Sequence, residues 1–239
     1  MFRFIDCNWM EWRTVEIRDE NGEGFDTVQC EDMVFPKQFL RMQPEVRMKA
    51  IKEMKYRDGD VLLCSYPKTG THWVFNIMHF LMIPGPVEEM LMASPKLLDL
   101  HPLEEIENLS SPRVIITHLK PDRLPVEHLQ TRGKIILVAR NPRDTMVSHM
   151  YHTQRHDVFN YSKLPWNCFF PTGSYFDYYN CWQKALEEQN KNLNVQSPLY
   201  ENLIKGNGHW RNRFTFAQDE VFDKVLEEKF KNSIFNTSV

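Results

Sequence analysis

A lysine, a glycine and two threonines stand where an apolar run gives way to a helical pattern. The run covers residues 60–66, and the residues that follow are Pro67, Lys68, Thr69, Gly70 and Thr71. Backbone N–H groups at the start of a helix attract anions, glycine lets the backbone approach them closely, and lysine adds a positive charge. The segment therefore predicts a phosphate-binding loop, although a tight turn with a surface lysine is the alternative for so short a motif. Because Lys68 precedes Gly70, the loop departs from the Walker pattern of ordinary ATPases and GTPases.

A histidine ends the second apolar run of the chain, and an arginine follows the third. The neutral imidazole of His118 suits a general base near neutral pH, although a lone histidine at a strand end is more often structural. Arg140 is able to fork onto a phosphate, and Ser148, two turns into the next helix, is able to point to the same place. For Arg140 alone, a salt bridge to Asp144 is the alternative interpretation.

Three short apolar runs must position these side chains. They are residues 60–66, 113–118 and 134–139. Continuous apolar runs rich in β-branched residues, alternating with helices, indicate a parallel sheet covered on both faces. Ligands bind such sheets at the carboxyl ends of the strands, which is where Lys68, His118 and Arg140 fall. We therefore expect an α/β fold of three layers, with a mainly parallel central sheet flanked by helices, formed as a single domain over residues 1–239.

The rest of the chain gives simpler signals. Residues 1 to about 35 are polar and irregular, and they predict an arm or a short hairpin. Helices are expected at residues 37–57, from Thr71 to a stop at Pro84, from Pro142 onwards, at 175–190 and at 218–230.

Composition and charge narrow the class of protein. The chain has 239 residues, of which 42% are hydrophobic, and a net charge of −3, so it offers one large core and no charge excess that would draw it to nucleic acid or an anionic membrane. No run approaches the ~18 apolar residues of a membrane span, and the first residues lack the apolar stretch of a signal peptide. The five cysteines have neither zinc nor disulfide spacing. We expect a cytoplasmic protein without a metal site.

Three segments resemble motifs of one enzyme family. Residues 66–73, Tyr-Pro-Lys-Thr-Gly-Thr-His-Trp, resemble the loop Tyr-Pro-Lys-Ser-Gly-Thr-Thr-Trp of the cytosolic sulfotransferases. Residues 112–125 resemble that family's Pro-Arg-…-Lys-Thr-His-Leu-Pro-…-Leu-Leu-Pro segment, and residues 138–148 resemble its Ala-Arg-Asn-…-Asp-…-Val-Ser motif. The motifs follow one another in the family's order, and the resemblance extends over nearly the whole chain.

The resemblance implies a P-loop-like sulfotransferase fold and a reaction. A sulfuryl group would pass from 3′-phosphoadenosine 5′-phosphosulfate (PAPS) to a small acceptor (a phenol, alcohol, steroid or amine), leaving the product PAP. By resemblance His118 is the catalytic base, and Lys68 contacts the bridging and sulfuryl oxygens. The other cofactor-binding residues implied are Thr69, Gly70, Thr71 and His72 at the 5′-phosphate, Trp73 on the adenine, and Arg140, Ser148, Lys205 and Gly206 at the 3′-phosphate.

The chain departs from the family's motifs at several residues, among them Thr69 for serine and His72 for threonine in the loop, and at one gap. Ile116 replaces the lysine that usually precedes Thr-His, while Ile204 and His209 replace an arginine and an aspartate of the Arg-Lys-Gly-…-Gly-Asp-Trp segment. Between about residues 195 and 203 the chain lacks a strand with a Tyr-Glu-Asp motif and several helices. We expect this shortening to affect nucleotide binding and stability.

A homodimer is the predicted assembly. Residues 211–220 resemble the family's dimer motif Lys-x-x-x-Thr-Val-x-x-x-Glu. A capping box that begins at Thr215 is the simpler interpretation, and both are compatible with the sequence.

Two rival functions are compatible with these residues. A shortened relative that binds nucleotide or a full-length partner without catalysis is favoured by the gap and by Ile116, and opposed by the intact site residues. A nucleotide kinase with a variant loop is opposed by the absence of a Walker lysine and of a clear magnesium-binding carboxylate.

Overall fold

The computed structural model describes residues 12–18, 24–30, 33–36, 41, 43–83, 85, 94–155, 175–188, 193–196, 215–230 and 233. The strands in these ranges are β1 Trp12–Arg18, β2 Gly24–Cys30, β3 Met33–Pro36, β4 Val61–Ser65, β5 Val114–Thr117, β6 Lys134–Val138 and β7 Val195–Gln196. The α-helices are α1 Pro44–Glu53, α2 Thr71–Met82, α3 Leu103–Glu107, α4 Val126–Gln130, α5 Pro142–Arg155, α6 Tyr175–Glu188 and α7 Phe216–Phe230, with a 3₁₀ turn at Pro121–Arg123. Of the described helices, none is long and apolar enough to cross a membrane.

The chain divides into two compact units. One comprises residues 1–49, 142–180 and 208–239, and the other comprises residues 50–141 and 181–207. Helices α1 and α6 each contribute residues to both units. A single domain over residues 1–239 stays a prediction.

The first unit contains an antiparallel sheet in the order β1-β2-β3, where the sequence predicted an arm or a short hairpin. It also contains α5 and α7, which are joined through a buried arginine. Arg143 donates from Nε to Asp219 Oδ1 at 2.8 Å and from Nη2 to Asp223. Its guanidinium carbon lies 5.0 Å from the ring centre of Phe222. The Arg143 side chain, near the start of α5, thus binds α7 through three of its residues.

The second unit contains the parallel sheet that the apolar runs predict. Its order is β5-β4-β6-β7, and every pairing is parallel. The sheet packs against α2, whose residues Val74, Phe75 and Met78 form one buried cluster with strand residues such as Leu63 and Ile116. A strand buried among apolar side chains needs no polar alternation, which is why these segments read as continuous apolar runs. The predicted α/β class is confirmed.

A buried ion pair fixes the amino ends of β4 and β5. Asp60 stands before β4 and Arg113 before β5, and Arg113 Nε donates to Asp60 Oδ1 at 2.8 Å. The N–H of Val61 donates to the Arg113 carbonyl oxygen at 2.9 Å. The two strands are thus joined at their amino ends as well as along their ladder.

Candidate active site

The loop between β4 and α2 turns the chain so that a helix start faces the carboxyl edge of the sheet. Lys68 has φ of 69° and Gly70 has φ of 96°, both in the left-handed region. The Thr69 hydroxyl donates to the Tyr66 carbonyl oxygen at 2.7 Å and closes the turn. No side chain within the described part of the chain caps the start of α2. The first N–H groups of this helix are therefore suited to an anion.

Two positive side chains meet at this loop. Arg140, two residues after β6, donates from Nη1 to the Lys68 carbonyl oxygen at 3.2 Å. Burial, and then the charge of Arg140, lower the pKa of Lys68. A bound anion relieves repulsion between like charges, so the pair is suited to bind a phosphate or sulfuryl group.

The ring of His118 is held by the end of the neighbouring strand. Its Nδ1 lies 2.7 Å from the carbonyl oxygen of Ser65 and 3.4 Å from Ser65 Oγ. A carbonyl oxygen only accepts hydrogen bonds, so Nδ1 carries the proton, and Nε2 of the neutral ring keeps its lone pair. The half-buried side chain is therefore oriented to accept a proton at Nε2.

Ser65 also contacts the start of α2. Its buried Oγ lies 2.6 Å from Oγ1 of Thr71, the first residue of that helix. The main chain of Ser65 thus holds the His118 ring, while its side chain holds the helix that follows the loop. His118 and the start of α2 therefore share one buried support.

His72 lies near the same group of charges. Partial burial, and then the charges of Lys68, His118 and His101, lower the pKa of His72. Its ring is therefore mainly neutral at pH 7 and adds little charge to the loop. In the described part of the chain, no group of three or more His, Cys, Asp or Glu side chains is placed to hold a metal ion.

Ser65 and Asp99 are functional candidates that the sequence did not single out. Asp99 is buried, and its Oδ1 accepts hydrogen bonds from the Thr117 hydroxyl at 2.9 Å and from the His118 N–H at 3.1 Å. The only sequence signal for either residue is a polar side chain among apolar residues. That signal does not indicate which residues Ser65 and Asp99 contact, because those residues lie in other segments of the chain.

Of the remaining predicted site residues, Trp73 and Ser148 lie in described helices, and others lie outside the described residues. Trp73 lies in the first turn of α2 and is 38% exposed, which leaves its ring accessible. Ser148 is half-buried on α5, in the first compact unit. Helix α7 begins directly after Thr215. Outside the described residues lie Lys205, Gly206, Ile204, His209 and residues 211–214 of the predicted dimer motif.

Ile116 is a core residue. It is fully buried in β5 and belongs to the cluster that joins the sheet to α2. The departure from the family's lysine thus places an apolar side chain in the core two residues before His118. Its presence there contributes packing energy and no charge.

The chain matches the family model of the sulfotransferase domain over residues 58–206. It belongs to the sulfotransferase domain family. The matched range includes the loop with Lys68, the strand end with His118, and both Arg140 and Ser148. The predicted family is therefore confirmed.

Relatives within the sulfotransferases differ in how much of their length the chain covers. The alignment with sulfotransferase 6B1 of Mus musculus extends over 179 positions at 31% identity and covers 70% of this chain and 58% of the relative. The alignment with sulfotransferase 1C2 of Homo sapiens extends over 263 positions at 25% identity and covers 78% of this chain and 88% of the relative. The chain spans somewhat more than half the length of the 6B1 relatives.

A solved sulfotransferase structure has the same fold. The mouse sulfotransferase SULT7A1, crystallised in complex with PAP, superposes with a TM-score of 0.64 at 23% identity, covering 84% of this chain and 94% of that chain. At such identity the likeness establishes the fold alone. The predicted sulfotransferase fold is confirmed.

Proposed function

We propose that this chain transfers a sulfuryl group from PAPS to a hydroxyl or amine of a small acceptor. The observation that carries the proposal is Ser65, whose oxygens contact both the His118 ring and the first residue of α2. A proton acceptor thus lies next to a helix start that is suited to an anion. Membership of the sulfotransferase family supports sulfuryl rather than phosphoryl transfer.

The proposed reaction is in-line attack of the acceptor on the sulfur of PAPS. As the acceptor oxygen or nitrogen bonds to sulfur, its proton passes to Nε2 of His118. The bond from sulfur to the bridging oxygen breaks, and PAP leaves with that oxygen on its 5′-phosphate. Lys68 and the first N–H groups of α2 stabilise the negative charge that develops there.

The nucleotide is bound at three places in this proposal. Residues 69–72 hold the 5′-phosphate, Trp73 stacks on the adenine, and Arg140 and Ser148, with Lys205 and Gly206, hold the 3′-phosphate. The Thr69 hydroxyl donates a hydrogen bond within the loop. In this proposal Thr69 therefore both shapes the turn and contacts the 5′-phosphate. The complex of SULT7A1 with PAP supports this nucleotide.

A shortened relative with impaired catalysis is the second candidate. The alignment with sulfotransferase 1C2 extends over 263 residues, more than the 239 of this chain, yet takes in only 78% of it. That relative therefore has residues without a counterpart in this chain, and a gap after about residue 195 stays a prediction. The buried Ile116, in place of a lysine, favours the same candidate. The chain would then bind PAP without turnover.

Three finer points stay predictions. The predicted acceptor is a phenol, alcohol, steroid or amine, and the sequence does not distinguish among these four classes. The assembly is a homodimer through residues 211–220. The compartment is the cytoplasm.

Thermal unfolding with added nucleotide tests the binding site of this proposal. A ligand at ~100 times its dissociation constant stabilises the folded state by about 2.7 kcal/mol, which raises the unfolding temperature by several degrees or less in a chain of this size. We expect a shift with PAP and none with ATP, because ATP lacks the 3′-phosphate. A shift with ATP alone would indicate the kinase alternative. No shift with either would contradict both enzyme functions.

A further inference from the structure

We propose that Asp99 is a positioning residue for sulfuryl transfer, which fixes the end of β5 so that His118 presents Nε2 to the acceptor. The inference rests on the proposed function, because it gives the base a second support. Asp99 touches none of the reacting atoms in this proposal and acts through the backbone of His118.

Asp99 reaches this place through a short extension of the sheet. Leu97 forms a parallel bridge with Ile116, and the N–H of Leu98 donates to the Ile116 carbonyl oxygen at 2.7 Å. Two residues beyond this bridge on each segment stand Asp99 and His118. The pairing therefore brings the carboxylate beside the predicted base.

One carboxylate oxygen organises three consecutive residues. Oδ1 of Asp99 accepts from the Thr117 hydroxyl at 2.9 Å and from the His118 N–H at 3.1 Å. The Thr117 oxygen in turn accepts from the N–H of Leu119 at 3.1 Å. Asp99 is only 3% exposed, so these charge-assisted hydrogen bonds are shielded from water.

These bonds replace the ladder where the strand stops. β5 ends at Thr117, so the next two N–H groups have no strand partner of the regular kind. Buried N–H groups left without an acceptor cost free energy, and Asp99 supplies the acceptor directly for one and through Thr117 for the other. Ser65 holds the ring of His118 and Asp99 holds its backbone. Two supports define where Nε2 lies.

Displacement of a catalytic group by 1 Å lowers turnover by up to about 100-fold. Asp99→Ala removes the acceptor, and we expect kcat to fall by about 10- to 100-fold while the dissociation constant of PAP changes less than about twofold. Asp99→Asn keeps one acceptor oxygen and should recover most of the lost turnover. Thr117→Val and Thr117→Ser form a milder pair, in which only the serine keeps the hydroxyl.

The matched control is Asp60→Asn. Asp60 is an equally buried aspartate of the same unit, but it pairs with Arg113 at the opposite end of the sheet. We expect this variant to lower the unfolding temperature and to leave kcat per folded molecule unchanged. A loss of kcat in Asp99→Ala no larger than in Asp60→Asn, or a parallel loss of PAP binding, would show a merely structural role and overturn the inference.

Nitrogen NMR of the His118 ring separates this inference from the proposed function. The wild-type ring should show the tautomer with a protonated Nδ1, and Asp99→Ala should show a mixture or rapid exchange, with Asp60→Asn like the wild type. If the wild type turns over no acceptor, the proposed function fails, whereas the ring signal still reports on Asp99. An unchanged ring signal in both Asp99→Ala and Thr117→Val would overturn the positioning role even in an active enzyme.

Discussion

The imidazole Nδ1 of His118 lies 2.7 Å from the carbonyl oxygen of Ser65, although the two residues are 53 positions apart. The contact follows from strand register, because β4 and β5 pair Cys64 with Thr117 and the next residues are Ser65 and His118. A slip of one residue would turn the histidine to the other face of the sheet. The register of β4 against β5 thus determines the orientation of the predicted base.

Trp73 provides a test of the adenine position. We expect Trp73→Ala to weaken PAP binding by about 5- to 150-fold, because stacking of one base on an aromatic ring contributes about 1–3 kcal/mol. Trp73→Phe should retain most of the affinity, and Leu81→Ala, an exposed position on the same helix, should retain all of it. Calorimetric titration with PAP makes the comparison. Equal affinity in Trp73→Ala and the wild type would place the adenine elsewhere.

The buried ring of His128 should make the free energy of unfolding depend on pH. Its Nε2 donates to the Lys134 carbonyl oxygen at 3.0 Å, and burial lowers the pKa of this ring despite hydrogen bonds that raise it. Below about pH 6.5 the unfolded state binds more protons than the folded state, so the free energy of unfolding falls as the pH drops. Above that pH this contribution is fully retained.

The variant His128→Gln removes this titration. Urea unfolding at a series of pH values should give a shallower slope of unfolding free energy against pH below about 6.5 than in the wild type. Equal slopes would contradict the assignment of the pH dependence to His128.

Gly133 tests the packing around the same histidine. A Cβ at Gly133 would lie 2.5 Å from His128 Nε2, whereas a Cβ at Gly85 would have no atom within 4 Å. We expect Gly133→Ala to lower the free energy of unfolding by about 1–3 kcal/mol, as overpacking does, and Gly85→Ala to change it by less than about 0.5 kcal/mol. Urea unfolding measures the free energy of unfolding of both variants. Equal free energies would show that the His128 ring moves aside without cost and would contradict the prediction.

Arg143 is expected to stabilise the attachment of α7. Arg143→Met removes its hydrogen bonds to Asp219 and Asp223 and its contact with Phe222, and should lower the free energy of unfolding by about 1–3 kcal/mol. The control is Lys184→Met, which removes an exposed i,i+4 pair and should cost about 0.5 kcal/mol or less. Additive effects of Arg143→Met and Asp219→Asn in a double-mutant cycle would contradict a direct interaction.

The core of the second unit was predictable because each parallel strand is a continuous apolar run between turn signals. The predicted runs at residues 60–66, 113–118 and 134–139 contain β4, β5 and β6. Helix α2 ends close to the proline that predicts its stop. The antiparallel sheet of β1, β2 and β3 was predicted only as an arm or a short hairpin, because these short segments contain no continuous apolar run that distinguishes a strand from irregular chain.

In the candidate site, too, the sequence indicates some residues and not others. Lys68, Thr71 and His118 carry their chemistry in residue type and motif, so the sequence indicates them. Ser65 and Asp99 contact residues from other segments of the chain, and neither residue type nor spacing reveals those partners. The burial of Ile116 shows that a motif position with a charge in the family serves the core here.

Transfer of labelled sulfate from PAPS is the most direct test of sulfotransferase function. The purified chain is incubated with labelled PAPS and a panel of phenols, alcohols, steroids and amines, beside His118→Ala. We expect the wild type to sulfate at least one acceptor, and His118→Ala to bind PAP equally well with turnover lowered by about 10²- to 10⁴-fold, the usual contribution of a general base. Product from His118→Ala at the wild-type rate would contradict the assignment of the base. A wild type that binds PAP and sulfates no acceptor would contradict sulfuryl transfer itself and favour the impaired relative.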